Sequence, residues 1–426
     1  MRSRTLLPFL LLACAPASDG EAAGSAPAVG AAAELSGRWR AALDGPGGEI
    51  VFGVSVSAQD DGGLSATLHN GPEVIAVPDT RWDGEALVLD LDHYEATVRL
   101  APREVEGEAQ LAGRWRRRSP GAEAWSELPA MARRERPEDA PSAPEPARRV
   151  DGRWRVRFAS ENEDAVALFE TRADGALSGT FLTTTGDYRW LDGRQQGDAL
   201  WLSCFDGAHA FRFEARLQED GSLDGDFWSR EVWHDTFHAV RDNDASLPDG
   251  FTLTSAEAAD LSAYAFPDLD GVERTLADPA FAGRARILQV FGSWCPNCHD
   301  AAEYLSELSR RYGPEGLSVV GLAFEHTGDF ARDAEQVRRY AARHEVSYPL
   351  LVAGLSDKAE AGRALPFLDA VRSYPTTVFL HGDGRVAAVY QGFAGPATGE
   401  HHQRLRARFE QLIEDLLAAG QTEDEG

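Results

Sequence analysis

Two stretches in the first half of the chain match at a nearly constant offset of 112 to 115 residues, and a repeat of that length obliges each copy to close a core of its own. Gly37-Arg38-Trp39-Arg40 returns as Gly152-Arg153-Trp154-Arg155, and Leu64-Ser65-Ala66-Thr67-Leu68 as Leu177-Ser178-Gly179-Thr180-Phe181. Gly84 to Leu89 returns as Gly197 to Leu202, and each copy closes on a Gly-x-aromatic turn, at Gly113 and Gly225. Within each copy the apolar runs are short, alternate in polarity and are punctuated by Asp-Gly and Gly-Gly. That pattern predicts antiparallel strands joined by tight turns. Two all-β units, each a small barrel or sandwich, are therefore expected at 35–134 and 150–245, with the proline-rich stretch 135–149 as the linker between them.

No chemistry is evident in these units, which read as binding or spacing modules. His234 and His238 invite a metal pair, but their surroundings read as strand. A four-residue step then spreads the side chains to about 13 Å, too far to share an ion.

The chain has 426 residues and a formal charge of −27, enough for several domains and a poor match to nucleic acid or an anionic membrane surface. Arg2 and Arg4 precede an apolar run that is too short to span a bilayer, the build of an export signal at 1–13. Leu11-Leu12-Ala13-Cys14 resembles a bacterial lipobox, which would put a lipid on Cys14, and 14–34 reads as a flexible tether. Membrane contact is expected through that lipid only, with the protein outside the cytoplasm. Of the remaining cysteines, Cys204 has apolar neighbours and reads as a buried structural thiol.

From about Leu261 the pattern changes to strands alternating with helices, and 261–419 is expected to be an α/β domain followed by an acidic tail at 420–426. Ile287 to Phe291 reads as a central strand that runs into Trp294-Cys295-Pro296-Asn297-Cys298 and then into a helix carrying Ala301, Leu305, Leu308 and Tyr312 on one face. Cys295 therefore falls at a helix N-terminus with Cys298 one turn further in. Free N–H groups there favour a thiolate, and cysteines so placed have pKa values between about 3.5 and 7.5. The thiolate attacks a disulfide sulfur and the second thiol resolves the mixed disulfide. Pro296 would stiffen the turn, and Trp294 would shield one side of the sulfur.

These residues resemble the thioredoxin superfamily, in particular the membrane-anchored, extracytoplasmic TlpA/ResA-like thiol-disulfide oxidoreductases. The likeness covers about Leu261 to Ala419. Phe266 to Gly271 looks like the family's lead-in strand and turn, with Leu317 to Ala323 as the next strand, Asp333 to His344 as a helix and Tyr348 to Leu351 as a further strand. Tyr374-Pro375-Thr376 resembles the segment whose proline is cis in the family and lies against the cysteines, which implies that the backbone of Tyr374 receives a substrate strand. The resemblance implies a protein-disulfide reductase whose redox-active disulfide needs no cofactor. It also implies exported disulfide-bearing proteins as substrates and a membrane electron donor.

Two departures stand out. Thioredoxin's buried acid is Gln289 here, and the glutamate that ResA-like proteins carry after the second cysteine is Ala301. Glu325 aligns with another family carboxylate near the site, either handling protons or lying as an exposed loop acid. Two rivals use the same residues. Cys295-Pro296-Asn297-Cys298-His299 fits covalent haem attachment, but the only methionine after the signal is Met131. A peroxiredoxin would place proline at 288 and threonine at 292, where Leu288 and Gly292 stand. A zinc site lacks local ligands beyond His299, so no metal is expected.

Overall fold

The computed structural model describes residues 33–118, 125–136, 139, 148–258 and 260–424. The expected signal, Cys14, most of the tether and most of the 135–149 linker lie outside them. Each repeat forms nine antiparallel strands, the first spanning Gly37–Gly45 to Trp125–Arg134 and the second Gly152–Phe158 to Trp233–Arg241. In both, the first strand pairs with the second and with the ninth, and the second pairs with the third. Eight strands thus close a ring, with the fourth left as an appendage on the third. Closure removes the exposed edges that an open sheet of this size would carry.

The frames agree in detail. Trp39 Nε1 donates to the Leu35 carbonyl and Trp154 Nε1 to the Val150 carbonyl, both at 2.8 Å. Arg134 lies over Trp39 at 4.1 Å and Arg241 over Trp154 at 4.5 Å. The barrels are not separated along a spacer. Phe205, Ala208 and Ala210 of the second barrel pack into the apolar cluster of the first, where the Phe205 ring lies 4.4 Å from that of Phe52. Asn70 pairs with both the N–H and the carbonyl of Phe205.

The C-terminal domain is built on a five-stranded sheet whose elements are β1 (Ala285–Phe291), α1 (Pro296–Tyr312), β2 (Leu317–Glu325), α2 (Phe330–Arg343), β3 (Leu350–Leu355), α3 (Lys358–Ala364), β4 (Thr376–His381), β5 (Val386–Gln391) and α4 (Glu400–Asp424). The sheet order is β3-β2-β1-β4-β5, with β1, β2 and β3 parallel and β4 and β5 antiparallel to their neighbours. This is the thioredoxin-like arrangement that the resemblance implies. Several expected boundaries move, among them the strand expected at Tyr348 to Leu351, which is Leu350–Leu355. Helix α2 starts at Phe330, not Asp333, because the Asp329 side chain caps it by accepting from Arg332 N. Helix α4 runs on to Asp424 through most of the expected acidic tail. The core also reaches back before 261, since Phe251 packs against Tyr390 and Phe409 and Asp249 pairs with Arg408 at 2.7 Å.

Candidate active site at the N-terminus of helix α1

Strand β1 is buried throughout its central residues and delivers the chain to Gly292, where the Trp294 ring folds back so closely that a Cβ would meet its Nε1 at 2.2 Å. Only glycine fits that approach. Cys295 then occupies the N-cap of α1, and its carbonyl accepts from the N–H groups of Cys298 (2.9 Å) and His299 (3.2 Å). Cys295 is 6% exposed and Cys298 fully buried. Burial, with the Cys295 thiol beside it, pushes the Cys298 thiol well above the ordinary range. Cys295 Sγ lies 3.4 Å from the Tyr374 carbonyl, and the Tyr374–Pro375 peptide is cis. Trp294 is fixed by donating to the Phe324 carbonyl at 2.9 Å and by stacking on His326.

Glu325 closes β2 as a buried side chain, which excludes the exposed loop acid as its alternative. It accepts from both the N–H (2.8 Å) and the hydroxyl (2.7 Å) of Ser293, and burial pushes its carboxyl up to about 8. Gln289 is buried and uncharged, accepting from the Thr377 hydroxyl at 2.7 Å. His299 Nε2 faces the Ser293 carbonyl at 2.7 Å, so that nitrogen carries the hydrogen. Burial drives the ring well below its usual titration range, which leaves Nδ1 bare to accept from His344 Nε2 at 2.6 Å.

The barrels supply residues to this site that the sequence reading left out. Arg117 of the first barrel donates to the Trp294 carbonyl at 3.0 Å, and the rings of His93 and Tyr94 lie 5.3 and 4.5 Å from that of His299. From the second barrel, Arg189 pairs with Glu73 (2.7 Å), Asp300 of α1 (2.9 Å) and Asp206 (3.5 Å). Burial pushes Asp300 up to about 8 despite that guanidinium. The hairpin around Gly186 presses on the motif itself, where a Cβ at Gly186 would meet Asn297 Nδ2 at 1.9 Å. Gln391 Nε2 donates to the Thr184 carbonyl at 3.1 Å, and Gly395 N donates to Asp187 at 2.5 Å. The three domains line a polar cleft of about 210 Å³ whose walls include Glu73, Arg189, Asp206, His299, Asp300 and His344. Of the two roles expected for the barrels, binding or spacing, plain spacing is corrected, because both barrels pack against the motif. One signal was available, because Arg116-Arg117-Arg118 is a basic run in a strongly acidic chain.

Other candidates stand apart. His234 and His238 are exposed and bonded to Asp226 and Asp224, and among the described residues no cluster of His, Cys, Asp and Glu could hold a metal ion. Cys204 is fully buried in the second barrel, where burial pushes its thiol well above the ordinary range.

Residues 246–402 match the Redoxin family. The C-terminal domain is a Redoxin domain. Its relatives include thiol-disulfide oxidoreductase ResA of Bacillus thuringiensis, 24% identical over 129 residues that make up 30% of this chain and 66% of the relative. ResA of Geobacillus thermodenitrificans is 24% identical over 144 residues, 33% of this chain and 74% of the relative. The chain thus spans just under two thirds of the length of the first of these. Among solved structures, a thioredoxin family thiol:disulfide interchange protein of Chlorobium tepidum is 21% identical at a TM-score of 0.28, covering 36% of this chain and 92% of its own. A secreted Mycobacterium tuberculosis disulfide oxidoreductase is 20% identical at a TM-score of 0.25, covering 34% and 95%. All of these matches cover about the share of the chain that the Redoxin domain occupies. Among the described residues no helix is long and apolar enough to cross a membrane.

Proposed function

We propose that this protein is a thiol-disulfide oxidoreductase, working as a disulfide reductase on exported proteins through Cys295 and Cys298. The observation that carries the reading is the placement of Cys295 at the N-cap of α1 beside the Tyr374 carbonyl, with Cys298 buried one turn inside. In the reducing direction the Cys295 thiolate attacks a substrate disulfide, forming one S–S bond as another breaks and releasing one substrate thiolate. Cys298 then attacks Cys295 Sγ, releasing the second substrate thiol and leaving the Cys295–Cys298 disulfide, two electrons poorer. Burial holds the Cys298 thiol protonated until resolution, and the buried Glu325 carboxyl, raised to about 8, holds its own proton beside Ser293, two residues before Cys295. We assign Glu325 a proton-handling role on that basis. Trp294, Pro296 and Pro375 shape the turn around the sulfur.

ResA relatives support this activity, and the sequence features of residues 1–34 support export, a lipid on Cys14 and anchorage outside the cytoplasm with electrons supplied from the membrane. Nothing in the chemistry calls for a cofactor beyond the redox-active disulfide. The test is a redox titration of the Cys295/Cys298 pair, with Cys298→Ala used to trap mixed disulfides. A potential near about −250 mV or lower is expected of a reductant, and one near about −120 mV would reverse the direction. Absence of a reversible two-electron transition would overturn the reading. Loss of membrane retention in Cys14→Ser tests the anchor.

A further inference from the structure

Arg117 belongs to the first barrel, yet it is buried against the turn that carries Cys295. It is 6% exposed, one Nη donates to the Ala208 carbonyl at 3.1 Å, and the other donates to the carbonyl of Trp294, the residue directly before the cysteine. Its Nε has no hydrogen-bond partner. Its neighbours in the strand are differently placed, since Arg116 pairs with Glu127 at 2.8 Å and Arg118 with Glu95 at 3.3 Å. Among the described residues no carboxylate forms an ion pair with Arg117 itself. Burial lowers its guanidinium only to about 10, so it remains a cation at neutral pH. The groups whose negative charge acts on it are Asp206, Tyr94 and Cys295. Asp206 is already held by Arg189 and His209, and Tyr94 is a buried neutral phenol. A buried cation without an ion-pair partner is costly, and this guanidinium is held at the carbonyl one residue before Cys295, where a thiolate would supply negative charge.

We propose that Arg117 is a positioning residue for thiol exchange, its charge stabilising the Cys295 thiolate so that the first barrel helps to set how readily the disulfide is reduced. This rests on the oxidoreductase reading above. With glutathione as the reductant, the oxidised pair and two glutathione thiols give the Cys295 thiolate, the Cys298 thiol, glutathione disulfide and one proton. Stabilising the thiolate draws that equilibrium toward the reduced protein, as in thiol oxidants whose reduced form is the favoured one.

The experiment equilibrates the full chain with glutathione buffers of known ratio and reads the reduced fraction by alkylation and mass. Arg117→Gln keeps a donor for the Trp294 carbonyl and loses the charge, while Arg117→Lys keeps the charge. The equilibrium constant for reduction is expected to fall about tenfold in Arg117→Gln, a shift of about 30 mV to more negative potential, and to stay within about threefold of wild type in Arg117→Lys. A folded Arg117→Gln protein with an unshifted constant, beside a wild type that titrates reversibly, overturns this inference alone. A wild type without a reversible transition overturns the oxidoreductase reading instead. Should Arg117→Gln fail to fold, Arg117→Met is equilibrated in the same buffers, and a folded Arg117→Met protein whose constant is unshifted from wild type overturns the proposal.

Discussion

The two barrels share a frame and differ where they meet the Redoxin domain. Trp39 and Trp154 make the same hydrogen bond to the residue four positions before them, under arginines drawn from the same strand. The turn after the sixth strand tells them apart. In the first barrel it brings His93 and Tyr94 onto the ring of His299, whereas in the second it carries Asp206, which is held by Arg189 and His209. At this turn one barrel therefore meets α1 with aromatic rings and the other carries buried charge, although the first barrel also brings Arg117 to the residue before Cys295. Duplication preserved what closes a barrel, while the loops diverged in what they touch.

The largest test of the shared frame is loss of its central tryptophans. Trp39→Ala and Trp154→Ala should each destabilise their barrel by about 3–5 kcal/mol in urea unfolding, and a difference of more than about 2 kcal/mol between them would break the equivalence. The divergent loops are tested next. Arg189→Met leaves Glu73, Asp206 and Asp300 without their shared cation and should cost about 3 kcal/mol by the same measurement. A pH-dependent effect distinguishes the charged contact from the aromatic one. Asp300 has its carboxyl raised by burial, so the folded state holds a proton that the unfolded state releases at about 4. Its contribution is fully present below about 4 and is lost as the pH rises through about 8. The stability margin of wild type over Asp300→Asn should narrow over that range, while the cost of Tyr94→Leu stays flat, and melting curves taken across the range decide. The smallest effects come from the arginines over the tryptophans, where Arg134→Gln and Arg241→Gln should each cost about 1 kcal/mol. Unequal values would show that the frames differ even at their matched ends.

Much of this architecture is legible in the sequence. The repeat offset set two units of equal construction, and Asp-Gly and Gly-Gly turns between short alternating runs set their strands. At the site, the apolar run to Phe291 followed by Trp294 and Cys295 located the N-cap of α1, because helix entry and thiol spacing are local properties. What escaped was non-local. Nothing near Arg117 in sequence shows that it meets residue 294, nor that Arg189 meets Asp300, since those contacts arise from how closed barrels dock. Glu325 was legible as an acid near the motif, but its burial depends on Ser293 turning both donors toward it. Helix α4 outruns its expected end because an acidic composition does not by itself stop a helix that begins against the core.

The docking of Arg117 onto the turn before α1, and of Arg189 onto α1 itself, has a practical meaning for anyone who treats the C-terminal domain as an interchangeable cassette. Cut free at residue 246, it would keep its sheet and both cysteines but lose the cation at the Trp294 carbonyl and the cation beside Asp300. Grafted onto another carrier, the same motif would work in a different electrostatic setting. The unit to transplant is all three domains together.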